Sequence, residues 1–280
     1  MPALVSPTSL GDTAIVCALA KAFKEKHGGP LKLIIPDTHK PIAEMYKHNI
    51  DEISCQPRSE LLNWCYQYAA RGFDLSRPIV AHPWWHGDGN WEWFIDKPNP
   101  LGLDDIYRYI LKLDWNARFE IPKLVHEDGL GIEDGSVIIL PNNNSNPEFP
   151  DEFWTRLIQQ IPHKVYVNMA GNLYGKRTNA LGAEAIDLTV ENIIPTVNKA
   201  KAFISGNNGM ACFLNIAQVK AKHIMLNYDK PFSLNGRQIN YPISYQSFQY
   251  NSYSYRKPIE FNLNPDCITQ AQIDAIAGAV

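Results

Sequence analysis

The sequence predicts an α/β protein of two Rossmann-like domains facing a cleft, and three observations carry that prediction. Short continuous apolar runs, such as residues 31–35 and 137–140, alternate with helical patterns, which marks strands buried on both faces of a parallel sheet. The order strand, turn or loop, helix, strand begins near residue 3 and begins again near residue 137. At 280 residues the chain exceeds the roughly 100–150 of a typical single core, so two domains, 1–125 and 126–280, are expected.

Residues 3–6 read as a buried strand, followed by a turn at Ser9-Leu10-Gly11-Asp12. Residues 13–27 place Ile15, Val16, Leu19, Ala22 and Phe23 at helical spacing. Lys24, Lys26 and His27 fall in the last turn of that helix, and Gly28-Gly29-Pro30 stops it. A strand at 31–35, a helix at 41–48 and a strand at 52–54 follow, then a helix at 59–71 and a strand at 78–81. A polar and aromatic loop runs from His82 to Trp93, and a helix from 104 to 113. Residues 121–136, with Pro122, Gly129, Gly131 and Gly135, read as the junction. The pattern restarts with a strand at 137–140, a loop at 141–150, and a helix capped by Asp151 and running to about 161. Strands at 164–169 and 184–188 precede a helix at 190–199, where Pro195 is read as lying near the first turn. A strand at 202–204 leads into Ser205-Gly206-Asn207-Asn208-Gly209-Met210-Ala211-Cys212, a helix at 213–217 and a strand at 222–226. Residues 228–255 read as loop. A last amphipathic helix at 269–280 has Thr269 as its cap and is placed to cross back to the first domain.

Composition narrows the function. A hydrophobic content of 45% with 20% charged residues describes an ordinary globular chain, and a net charge of -3 disfavours broad nucleic-acid binding. The five cysteines, Cys17, Cys55, Cys65, Cys212 and Cys267, form no C-x-x-C pair, which disfavours a zinc site or a disulfide framework and favours a reducing compartment. The N-terminal residues lack a basic segment and a long apolar core, and no run approaches the ~20 apolar residues of a membrane span. A cytoplasmic protein is expected, with no cofactor and no metal.

The chemistry concentrates at strand ends. A strand that breaks at glycines and opens a helix aims free N–H groups and a positive dipole end at one spot, a ready anion site. Asn207, Asn208 and Gly209 are the candidates for holding donor phosphates there, although Asn and Gly also simply suit tight turns. Asn142, Asn143, Asn144 and Ser145 follow another strand end and can face a diphosphate, or can be plain loop. Asp12 is a candidate base, or an acid that merely complements a helix N-terminus. His82, Trp84, Trp85 and His86, with Gly11 at the other strand end, are candidates for binding a sugar, since aromatic faces stack on sugar rings, or else form a packed surface loop. Pro83 between His82 and His86 argues against a helical metal pair. The aromatic residues from Tyr241 to Tyr255 can line a cleft, cover a domain or form an oligomer contact.

Taken in order, these motifs resemble the heptosyltransferase-like glycosyltransferases of family 9, which have the two-domain GT-B fold. Their N-terminal Gly-Asp turn is similar to Gly11-Asp12. Their second-domain start is similar to the strand 137–140, the polar loop 141–145, and Phe149-Pro150-Asp151-Glu152-Phe153-Trp154. Their late Asp-Ser-Gly-x-x-His motif aligns with Asn207-Asn208-Gly209-Met210-Ala211-Cys212, so the acid, serine and histidine are replaced, and Pro147 stands where the family has a lysine. The resemblance spans about residues 3–226. It implies transfer of a sugar from a nucleotide-sugar donor to a glycan or related acceptor, in glycan biosynthesis, with inversion and Asp12 as general base. It places Gly171, Asn172 and Leu188 at the nucleoside, and it implies the acceptor role for Gly11, His82, Trp84, Trp85 and His86. A catalytically inactive nucleotide- or glycan-binding relative, or a sugar-nucleotide epimerase or hydrolase on the same fold, stays open beside it.

Overall fold

The computed structural model describes residues 1–7, 9–68, 72–83, 103–142, 148–170, 179–206, 208–230, 232–234, 237–239 and 258–280. The chain divides into two compact units, the first holding Met1–Val125 and the second beginning at His126.

The first unit alternates β1 (Ala3–Val5), α1 (Leu10–His27), β2 (Lys32–Pro36), α2 (Lys40–Met45), β3 (Glu52–Gln56), α3 (Arg58–Tyr68), β4 (Ile79–Val80) and α4 (Leu103–Ile110). Its strands are all parallel, in the order β3-β2-β1-β4. The chain lays strands outward from β1 and then returns to add β4 on the other side, so the order reverses between β1 and β4. Ligands of open α/β sheets sit at such reversal points, outside the carboxyl ends of the strands.

Helix α1 begins at Leu10, earlier than its apolar spacing predicts, because Ser9 caps it: the Ser9 hydroxyl accepts from the Asp12 N–H at 3.3 Å. Gly11 and Asp12 therefore lie in the first helical turn, not in a turn before it. Every residue from Thr13 to Ala20 is buried, so the middle of α1 is covered all round. Gly28, at φ 73°, closes α1 with a bond to the Lys24 carbonyl.

The second unit contains β5 (Val137–Leu140), α5 (Asp151–Gln160), β6 (Val165–Asn168), β7 (Glu184–Ile186), α6 (Val190–Val197), β8 (Ala202–Gly206), α7 (Gly209–Ile216), β9 (Lys222–Tyr228), β10 (Phe232–Leu234), β11 (Arg237–Ile239), β12 (Ile259–Leu263) and α8 (Gln270–Ala279). The main sheet is parallel throughout, in the order β12-β9-β8-β5-β6-β7. Its reversal point lies between β5 and β8.

Several elements differ from their sequence-based expectation. Strand β8 runs on to Gly206. Asp151 is the first residue of α5, with Pro150 at the cap position, so its carboxylate complements the dipole without capping. Pro195 is the sixth residue of α6, not a first-turn residue, and lacks the N–H that would bond the Glu191 carbonyl. Residues 228–255 are not all loop, since β10 and β11 pair as an antiparallel hairpin. The intervening sequence, Asn235-Gly236, is a strong hairpin signal that the aromatic composition obscured. Strand β12, with Ile259, Phe261 and Leu263 in alternation, also went unread. Helix α8 belongs to the second unit, where Ile273, Ile276, Ala277 and Val280 pack with Phe153, Trp154 and Leu157 of α5 in its core. Among the described residues no helix is long and apolar enough to cross a membrane.

Candidate functional site

Two clusters form, one at each reversal point. In the first unit Asp12 sits where α1 leaves β1, and His82 follows β4, the strand across the reversal. Ser9 both caps the helix and donates its hydroxyl to Asp12 Oδ2 at 2.6 Å. The Tyr107 hydroxyl, from α4, donates to Asp12 Oδ1 at 2.6 Å. His82 Nε2 lies 3.4 Å from Asp12 Oδ2, and both side chains are mostly buried, at 8% and 15% exposure. Burial pushes the Asp12 carboxyl up. Attraction to His82 and hydrogen bonds from His82, Ser9 and Tyr107 outweigh that and hold it well below the usual carboxylate range. Asp12 is thus held ionised and in a fixed setting at the strand ends. Gly11 is buried beside it.

Behind Asp12 a buried polar line runs from the Ser6 hydroxyl to Thr13 Oγ1 at 3.1 Å and on to His39 Nδ1 at 2.7 Å. Burial lowers the His39 pKa to about 4, against the pull of Asp12, so His39 is neutral near pH 7. Tyr107, Ser9 and His39 were all missed by the sequence reading. Only Ser9 left a trace there, the spacing Ser-x-x-Asp of a capping box.

In the second unit Asn208 is the N-cap of α7. Its Oδ1 accepts from the Ala211 N–H at 2.8 Å. Its Nδ2 donates to the Asn142 carbonyl at 3.1 Å and the Leu140 carbonyl at 3.4 Å. Asn208 therefore ties the start of α7 to the end of β5, directly across the reversal point. Its side chain is engaged with the protein, so what this turn offers a ligand is backbone: helix geometry leaves the N–H groups of Gly209 and Met210 outside the intrahelical pattern. Asn142 Nδ2 in turn donates to the Ala170 carbonyl at 3.1 Å, joining the ends of β5 and β6. Asn168, which the sequence did not single out, accepts from the Ala170 and Leu188 N–H groups at 3.1 and 3.0 Å. Leu188 is only 1% exposed, so its side chain packs inside the unit rather than presenting a face to a base. Cys212 is buried in α7.

A further buried network underlies this turn. His223 Nε2 lies 2.9 Å from the Ser205 hydroxyl and His223 Nδ1 lies 3.0 Å from Asn215 Oδ1. The ring stacks on Phe203 at 4.3 Å. Burial lowers the His223 pKa to about 3, so the ring is neutral. Since Asn215 Oδ1 can only accept, Nδ1 carries the proton and Nε2 accepts from Ser205.

Asn143, Asn144, Ser145, Gly171, Asn172, Asn207, Trp84, Trp85 and His86 lie outside the described residues, as do Tyr241 to Tyr255. Among the described residues no group of three or more His, Cys, Asp and Glu is placed to hold a metal ion.

Solved structures share this architecture over the whole chain. The fold is heptosyltransferase-like. The iron-containing dodecameric glycosyltransferase TibC from enterotoxigenic E. coli superposes with a TM-score of 0.63 at 15% identity, over 99% of this chain and 75% of that one. The E. coli ADP-heptose lipopolysaccharide heptosyltransferase II gives 0.60 at 11% identity, over 100% and 98%. A family 9 glycosyl transferase from Veillonella parvula gives 0.57 at 14% identity, over 99% and 90%. No family model matches the sequence, and no curated protein matches it. The resemblance read from Gly11-Asp12, the Pro150–Trp154 helix start and Gly209 is thus found again in the fold.

Proposed function

We propose that the protein is a glycosyltransferase that moves a sugar from a nucleotide-sugar donor to a glycan-type acceptor with inversion. The first unit, residues 1–125, is the acceptor side, and the second, from residue 126, holds the donor. The observation that carries this reading is Asp12: an ionised carboxylate held by Ser9 and Tyr107 beside His82, at the reversal point of a heptosyltransferase-like first unit. Asp12 takes the proton from the acceptor hydroxyl as that oxygen bonds the anomeric carbon and the bond to the diphosphate breaks. His82, beside Asp12, contacts the acceptor, together with Gly11, Trp84, Trp85 and His86. The leaving diphosphate is stabilised by the N–H groups at the start of α7 and by neutral side chains of Asn142 to Ser145 and Asn207, with Gly171 and Asn172 at the nucleoside, without need of a metal. Asn208 shapes that turn rather than clamping the phosphates itself.

A second reading, a nucleotide-binding relative without turnover, is favoured by one observation. The positions aligned with the family's acid, serine and histidine carry Asn207, Asn208 and Cys212, and Asn208 spends its side chain on structure.

A thermal-shift panel of ADP, UDP, GDP, ADP-heptose, UDP-glucose and GDP-mannose tests the donor half. A specific donor at 100 times its Kd should stabilise the protein by about 2.7 kcal/mol. Asp12→Asn should leave that shift intact and lower turnover by about 10²–10⁴-fold. No shift with any nucleotide counts against the reading. A shift without turnover under any acceptor favours the second.

A further inference from the structure

We propose that Tyr107 is a positioning residue for Asp12, fixing the plane of its carboxylate so that a lone pair stays aimed at an incoming acceptor hydroxyl. The inference rests on the reading of Asp12 as the base. It starts from a freedom the carboxylate would otherwise have. The terminal torsion of an aspartate is broad, and both Ser9 at the N-cap and His82 meet the carboxylate at Oδ2. A second donor on the other oxygen fixes the plane. Tyr107 supplies it at 2.6 Å from a different helix, with its side chain fully buried. That length is in the range of a charge-assisted O–H···O⁻ bond.

The hydroxyl is itself held in place. Arg108, the next residue of α4, is fully buried and bonds Asp104, Asp105 at 2.9 Å, and the Ala117 carbonyl at 2.8 Å. Its guanidinium also lies over the Phe119 ring at 5.4 Å. A helix anchored in this way carries Tyr107 to one position, and so carries Asp12 to one orientation. The proton taken from the acceptor goes to Asp12. Tyr107 keeps its own proton throughout and acts only through the carboxylate. A plainly structural Tyr107 would use Asp12 as a convenient partner for its buried hydroxyl, and the two roles separate experimentally.

Tyr107→Phe keeps the ring and removes the bond. The expected result is a kcat lowered by about 10–100-fold with KM for donor and acceptor within about threefold, a split that marks loss of an interaction used in the transition state. Turnover is followed as nucleoside diphosphate release from ADP-heptose, UDP-glucose and GDP-mannose in parallel. In protein carrying 13C-labelled aspartate, the Asp12 Cγ resonance, assigned by its absence in Asp12→Asn, should shift in Tyr107→Phe and titrate at higher pH. A urea-unfolding cycle of Asp12→Asn, Tyr107→Phe and the double variant should be non-additive, because the two residues share one bond. This readout needs no substrate. Asp12→Asn with full turnover would overturn both this inference and the proposed base. Asp12→Asn inactive, but Tyr107→Phe with unchanged kcat and an unmoved Asp12 resonance, would overturn this inference alone.

Discussion

His223 shows how much one buried side chain can dictate. Its ring is neutral because burial lowers its pKa to about 3, and His39 in the first unit is likewise held neutral at about 4, by burial first and Arg58 next, with Asp12 pulling the other way. Unfolded histidines titrate near 6.5, so between about pH 6.5 and 4 the unfolded chain binds more protons than the folded one. Stability contributed by these rings is therefore fully present above pH 6.5 and is lost as pH falls through that window. The slope is about 1.4 kcal/mol per pH unit for each ring fully engaged. Asp12, held low, keeps its own contribution until the pH drops below the usual carboxylate range, so it does not mask the effect. Urea unfolding at pH 7 and pH 4.5 should show the loss, and His223→Gln should reduce it. An unchanged pH dependence in that variant would contradict the neutral, buried assignment. None of this was legible in the sequence. His223 is one histidine in an apolar run, and its partners Ser205 and Asn215 sit on other elements, 18 and 8 residues away. Asp12 was legible, because the turn that opens α1 is a local feature. Tyr107 was not, because it meets Asp12 across 95 residues.

At the scale of elements, the strands and helices that were read correctly are those whose signals are local. Strand β5 coincides with a four-residue apolar run, and α8 begins at a Thr269 that accepts from Gln272, as its spacing predicts. The misread elements are those set by tertiary partners. Strand β12 has a half-exposed pattern and exists because β9 offers it an edge. Helix α6 continues through Pro195 because other bonds hold it. Thr196 Oγ1 donates to the Asn192 carbonyl at 2.6 Å and accepts from the Leu130 N–H at 2.9 Å. Gly129 lies against this point, where a Cβ would come within 2.7 Å of the Thr196 nitrogen and 2.8 Å of the Pro195 carbonyl carbon. Both neighbours are backbone, so neither yields by a side-chain rotation. Gly129→Ala should lower the unfolding free energy by about 1–3 kcal/mol, as overpacking does. A value near zero by urea titration would mean that the α6 backbone moves aside freely.

For the whole molecule, the two units carry their candidate groups at equivalent topological places, the reversal between β1 and β4 and that between β5 and β8. The placement at strand ends followed from the repeated α/β order in the sequence, since such sheets bind ligands outside the carboxyl ends of their strands, while the reversal points needed the strand order. What the sequence lacked was the division of labour within each place. Asn208 reads as a phosphate ligand by alignment, and its side chain bonds the Ala211 N–H and the Leu140 and Asn142 carbonyls. The proposed roles give a prediction at this scale. Hydrogen exchange with and without a stabilising nucleotide should show added protection at residues 208–216 and 137–142, with little change in β1 to β4. Protection confined to residues 1–125 would reverse the assignment of donor and acceptor sides.

The packing of α8 has a consequence for how the chain is made. Ile273, Ile276 and Val280 complete the second unit's core, and the Lys222 ammonium bonds the Ala279 and Val280 carbonyls at 2.8 and 3.2 Å. During synthesis, the part of the α5 face that these residues cover stays open until α8 has left the ribosome. For that interval the growing polypeptide presents an apolar surface of the kind that chaperones hold, and the second unit cannot complete its core before translation has reached α8.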